Sequence, residues 1–167
     1  MPIAPAINPD DITPNLEQRH RDAMLDLVLA WGSLDGALGM LLSCVRELPL
    51  HQGAELIGKR PSSANLAEVC KVLRNTPGGA DAARIMEKHK KNYELHSRPR
   101  NRIVHSHCVG VWTQDQNFIV FAKFEKVANN VLAVYRIPIE EMQCATRWGL
   151  AMKDTALKIA DALSAEA

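Results

Sequence analysis

The sequence predicts a mainly α protein: a four-helix-type bundle with a small three-stranded antiparallel β meander before its last helix. Three observations carry this. A leucine-rich run repeats Met24, Trp31, Leu38 and Val45 at intervals of seven, with Leu27, Val28, Leu34, Leu41 and Leu42 between them. Two later segments place apolar residues three or four apart, as one face of a helix requires. After Cys108 the period shortens to alternation, as in strands with one buried face.

Taken in order, Thr13 and Pro14 supply a capping hydroxyl followed by proline at a first helical position, so a long first helix is expected from there to Leu48, which precedes Pro49. Its apolar stripe must be buried against other helices. Gly32, Gly36 and Gly39 each weaken a helix interior by roughly 1 kcal/mol, which close approach of a partner backbone would offset. A short polar-apolar segment around Ala54 to Ile57 follows. Pro61 with Ser62 and Ser63 then opens a second helix with Leu66, Val69, Cys70 and Leu73 facing inward, and Thr76-Pro-Gly-Gly79 ends it. Residues 80–95 read as helical throughout, with Ile85, Met86, His89, Tyr93 and His96 on related faces. Pro99 lacks an amide donor and biases Arg98 away from helical angles, so a kink or a restart is expected there.

The meander is expected at about 108–137. Val109 and Val111 lead to Trp112, Gln114-Asp-Gln-Asn117 turns the chain, and Phe118 to Phe124 and Val131 to Ile137 form two further strands joined through Ala128-Asn-Asn130. Pro138 then opens the last helix, with Glu140 and Glu141 suited to the positive end of its dipole and Met142, Gly149, Met152, Ile159 and Leu163 facing inward.

A length of 167 residues suits a single domain, 13–167, preceded by a mobile arm at 1–12 that holds Pro2, Pro5 and Pro9. The arm lacks the basic start and apolar run of a secretory signal. Cys44, Cys70, Cys108 and Cys144 are widely spaced with no C-x-x-C pair, which reads as reduced thiols in a cytoplasmic protein. Asp26, Ser33 and Asp35 interrupt the run from Met24 to Val45, so no membrane span is expected.

The chemistry concentrates in Arg98-Pro-Arg-Asn-Arg-Ile-Val-His-Ser-His-Cys108. Arg100, Asn101 and His105 place a fixed cation, an amide and a titratable imidazole within two helical turns. From Arg84 to His107 there are seven Lys or Arg against two Glu, a local net of +5 in a chain whose total is +1. His89, His96, His105 and His107 lie in the same strip. Such a strip on a nearly neutral protein favours a polyanionic ligand, although a solvated helix face has the same composition. On a regular helix Asn101 and His105 share a face, while Arg100 and His105 diverge by roughly 140°, so two copies of the motif in a homodimer would aim both groups at one phosphate. Asp35 stands beside the apolar stripe, where a carboxylate calls for a cationic partner or access to water.

The acidic residue within the Trp31-to-Leu42 stripe, followed by Arg100-Asn101-x-x-x-His105 near the end of a later helix, resembles the HEPN family of helical nucleases and nucleotide-binding domains. Arg100 and His105 match its arginine, four to six residues, histidine pattern, and Asn101 matches the polar residue that often follows the arginine. The resemblance covers about 23–107. Two departures are Pro99 directly before the motif arginine and the β meander before the last helix.

That resemblance implies a dimeric, metal-independent endoribonuclease of the toxin-antitoxin or defence-related kind, needing no cofactor and paired with a cognate antitoxin-type protein. The ribose 2′-hydroxyl would attack the adjacent phosphate, with His105 carrying the proton and Arg100, aided by Asn101, stabilising the charge on the phosphorane. Arg98, Arg102, His96 and His107 would bind the substrate, and Asp35 and Trp31 would support the site. Some relatives bind without cutting, so a non-catalytic dimer module for RNA, a nucleotide or a protein is the rival reading. A metal site at His105, His107 and Cys108 is disfavoured because the two histidines diverge on a helix and Cys108 opposes them on a strand. Cys44, Cys70 and Cys144 fit packing patterns with no paired base, and the aromatic residues cluster in the meander rather than in the basic strip, where Tyr93 alone lies.

Overall fold

The computed structural model describes residues 8–58, 62–123 and 133–165. In chain order they form a 3₁₀ turn (Pro9–Asp11), β1 (Ile12–Thr13), α1 (Gln18–Val45), α2 (Leu50–Gly58), α3 (Ser62–Arg74), α4 (Ala80–Lys88), α5 (Lys90–His105), β2 (His107–Trp112), β3 (Phe118–Lys123), β4 (Ala133–Pro138) and α6 (Ile139–Ala165). The protein is mainly helical, with six α-helices and one small antiparallel sheet among the described residues. It divides into two units, one of Met1–Val28 with Arg98–Ala145 and the other of Leu29–Ser97 with Thr146–Ala167. The helices α1, α5 and α6 each run from one unit into the other.

The first unit holds the sheet, in the order β1-β2-β3-β4. Three of its strands lie where alternation places them, and Phe118↔Pro138 through Lys123↔Ala133 run in unbroken register. The expected Phe124, Val131 and Ala128-Asn-Asn130 lie outside the described residues. The fourth strand is a correction. Ile12 and Thr13 pair with Trp112 and Val111, so Ile12 of the expected mobile arm is a sheet residue and Thr13 does not cap a helix. The pairing depends on Gly110: its φ of +151° belongs to glycine, and a Cβ there would lie 2.1 Å from the Thr13 carbonyl oxygen. The β2–β3 register shifts at this point, between Cys108 and Gly110.

With Thr13 in the sheet, α1 begins later, at Gln18, and a histidine organises its start. The buried ring of His20 accepts the Glu17 N–H at Nδ1 (3.0 Å) and donates from Nε2 to the Gln116 carbonyl (2.7 Å). Arg19 donates to the same β2–β3 turn through Asn117 Oδ1 (3.1 Å).

The second unit is built around aromatic packing. Trp31 is fully buried, with Trp148 stacked at 5.7 Å and the Tyr93 ring edge-on at 5.1 Å. Leu34, Leu38, Leu41 and Leu42 of the predicted α1 stripe are buried, as are all four inward residues of α3, Leu66, Val69, Cys70 and Leu73. Val28, in the first unit, and Ile85 are instead 36% and 42% exposed. Among the described residues, close helix approach is seen at one part of the α1 glycine run. A Cβ on Gly53 of α2 would meet the Ser43 side chain and the Gly39 carbonyl, whereas Gly32 and Gly36 are exposed, with nothing within 4 Å of an added Cβ. The segment containing Ala54 to Ile57 is therefore a helix in its own right.

Helix α1 contains an apolar window of mean hydropathy 1.6, long and apolar enough by length and composition to cross a membrane; half of that window is buried within the structure. Of the kink or restart expected at Pro99, the restart does not occur: α5 continues through this buried proline, which removes a single donor from the helical ladder. The break comes at His89, whose φ of −87° and ψ of −8° separate α4 from α5. Pro138 likewise closes β4, and α6 starts one residue later at Ile139.

Candidate functional site

The basic motif occupies the last two turns of α5, Ser106 and the first two residues of β2, all within the first unit. Arg98, Asn101 and His105 are exposed and follow at spacings of three and four, so they stand along one solvent face of the helix. Arg100 is half-buried on another face. Its guanidinium nevertheless turns back, Nη1 donating to Asn101 Oδ1 at 3.1 Å. The contact narrows the angular gap to His105 that helix geometry alone would leave. A cation, an amide and an imidazole thus share one helix end, where a phosphate oxygen could be gripped and a proton exchanged.

The remaining predicted residues are dispersed. Arg102 is half-buried with its guanidinium over the Tyr135 ring, 4.8 Å from the centroid. This contact fixes the side chain and lowers its freedom to follow a ligand. His107 is exposed at the start of β2, opposite Ala122 in the sheet. Cys108 pairs with Phe121 on the next rung, and burial pushes its thiol above the ordinary value. Among the described residues, no three His, Cys, Asp or Glu side chains cluster to hold a metal.

His96, Asp35 and Trp31 belong to the second unit. The His96 ring stacks on Trp148 at 5.3 Å, so packing takes a ring face that a ligand would use. Asp35 is half-buried in α1, and Trp31 lies at the centre of the aromatic core.

Three residues escaped the sequence reading. Tyr135 carries Arg102, and Arg136 lies over Trp112 at 4.4 Å. The signal available was alternation along β4, which marks a strand but does not reveal which guanidinium each ring meets. The third is Ser106, whose hydroxyl oxygen is buried with no hydrogen-bond partner among the described residues. It sits at the bend between α5 and β2, directly between His105 and His107. Compared with known protein families, curated proteins and solved structures, the chain matches none.

Proposed function

We propose that this protein is a metal-independent endoribonuclease of the HEPN type, acting in the cytoplasm as a homodimer whose two motifs face one another. The observation that carries the reading is the Arg100–Asn101 hydrogen bond, which brings the guanidinium toward the helix face that also bears His105. Four free cysteines suit a reducing compartment.

In this mechanism the ribose 2′-oxygen attacks the adjacent phosphorus, the bond to the 5′-oxygen breaks, and a 2′,3′-cyclic phosphate remains. His105 of one or both copies moves the proton, Arg100 balances charge on the phosphorane, and exposed Arg98 orients the backbone. The partner expected is RNA, with a cognate antitoxin-type protein as its inhibitor. The second reading, a non-catalytic RNA- or nucleotide-binding module, is favoured by the partial burial of Arg100 and the engagement of Arg102 on Tyr135.

The deciding experiment incubates mixed RNA with purified protein in EDTA. Cyclic-phosphate ends are expected, with His105→Ala lowering the rate by about 10²–10⁴-fold and Arg100→Ala abolishing cleavage. Variants that cut as well as the parent protein would overturn the nuclease reading. Binding without cleavage, weakening steeply as salt rises, would establish the second reading in its place.

A further inference from the structure

The sheet of the first unit has two edges, and they are guarded differently. At one stands β1, two residues long, with Asp10 and Asp11 directly before it. Short strands and charges are usual means of keeping a sheet edge from pairing with another chain. β4 forms the other edge. It is six residues long, in unbroken register with β3 and so without a bulge, and its proline, Pro138, comes only at its end. The single charged residue of β4, Arg136, does not guard the open side. Trp112 belongs to β2, two strands away, so a guanidinium 4.4 Å from the centre of that ring must reach inward across β3.

Backbone alternation identifies the groups that β4 presents at this edge. The Ile139 N–H donates to the Asn117 carbonyl, one step beyond the Phe118↔Pro138 pair, and residues alternate from there between bonding β3 and turning away from it. Ala133, Tyr135 and Ile137 therefore bond to β3, whereas the N–H and C=O groups of Val134 and Arg136 point outward. Among the described residues, neither has a backbone partner on that side. Val134 is also 37% exposed. Tyr135, between them, carries the Arg102 guanidinium over its ring, so the end of α5 that bears the motif lies beside this edge.

We infer that β4 pairs antiparallel with β4 of a second copy, about a two-fold axis through Tyr135. This register sets Val134 of each copy opposite Arg136 of the other, and every outward N–H of the two residues meets a carbonyl. A centre at Arg136 would instead oppose like charges and set Val134 against Pro138, which has no N–H. A centre at Val134 would put Arg136 opposite a residue beyond the start of β4. Residues directly opposite one another share a face of the sheet, so the two α5 ends lie on the same side of the joined sheet, with the two Arg102–Tyr135 pairs flanking the axis. The inference rests on the homodimer proposed above and names the surface that brings its two motifs together.

The test is sedimentation of the full chain without RNA at micromolar concentrations and above, paired with hydrogen exchange. The parent protein is expected to dimerise, with the Val134 and Arg136 amides protected in concentrated solution and losing that protection on dilution. Val134→Pro removes only an outward N–H, which an edge strand tolerates, so it should keep the circular dichroism of the parent and sediment as a monomer. Val134→Lys keeps the N–H but sets a cation opposite Arg136, and should raise the dimer Kd by about tenfold. The amide readout on the parent protein needs no variant. A monomeric parent, unprotected Val134 and Arg136 amides in a dimer, or a Val134→Pro dimer as tight as the parent's would overturn the assignment. A dimer through β4 that cuts no RNA would refute only the nuclease reading, and RNA cleavage by a protein that fails these tests would refute only the β4 pairing.

Discussion

Lys90–Ser97 and Arg98–His105 are the two halves of one helix, yet they use their residues in opposite ways. In the first half, Tyr93 is buried against Trp31 and Trp148, and His96 stacks on Trp148. In the second, Arg98, Asn101 and His105 face solvent, and the Arg100 guanidinium is turned onto Asn101. Both halves are polar by composition, and what separates them is how they meet large rings: Tyr93 and His96 pack against Trp148 in the aromatic core, whereas in the second half the ring contact shown is that of Arg102 with Tyr135. Aromatic packing fixes a side chain and silences its chemistry. In the second half Arg102 alone is shown against a ring, that of Tyr135, and Arg98 and His105 stay exposed to solvent.

The largest expected effect of breaking this contrast is at Trp31. Trp31→Ala should lower stability by about 3–5 kcal/mol in urea unfolding; a cost near zero would mean that the aromatic cluster does not hold the first half of α5. Next comes Gly110→Ala in β2, the strand that follows the motif. A side chain at φ +151° and against the Thr13 carbonyl should cost about 1–3 kcal/mol, with Ile12 and Thr13 amides losing protection from hydrogen exchange.

Gly36→Ala should have the opposite sign. Nothing lies within 4 Å of the added methyl, so helix propensity alone should raise stability by about 1 kcal/mol. A loss of stability together with a weaker dimer in sedimentation would instead place a second chain on this face of α1.

The buried Cys70 thiol and the half-buried Cys108 thiol give a pH dependence of stability. Burial, reinforced by Glu87, raises the Cys70 thiol above its ordinary value, and burial does the same at Cys108. The folded state therefore holds these protons more tightly than the unfolded chain. The resulting stability is complete below the unfolded value near 9.0 and is lost as pH rises through the higher folded values. Thermal unfolding from pH 8 upward should show the decline, and Cys70→Ala should reduce its slope; a slope unchanged by that substitution would remove Cys70 as a source. The smallest effect is expected at the open half of α5, where Asn101→Ala and His105→Ala should each alter stability by no more than about 0.5 kcal/mol. A larger loss at either would show that these side chains are structural and would sharpen the case for the non-catalytic reading.

Part of the site was legible from spacing alone. Asn101 and His105 are four residues apart, so any helix through them places both on one face, and the structure has that helix. The Arg100 contact with Asn101 was not legible, because a long side chain can leave its own face by rotamer choice. The ring contacts of Arg102 and His96 were equally hidden. They join residues from distant parts of the sequence, Tyr135 and Trp148, that no local pattern connects.

By itself, the sequence determined the elements long enough to show a period: α3 with its inward Leu66, Val69, Cys70 and Leu73, much of α1 and α6, and the three strands in which apolar residues alternate. Tertiary structure decided the rest. Two residues cannot display a period, so Ile12 and Thr13 became a strand only because Gly110 lets another backbone close in. Pro99 stays inside α5 because one missing donor costs less than interrupting a packed helix, while the chain breaks at His89, where no proline or glycine marks the place. Local propensity is set within a turn or two of chain, but the contacts that overrule it come from residues far away in sequence, and folding alone brings those together.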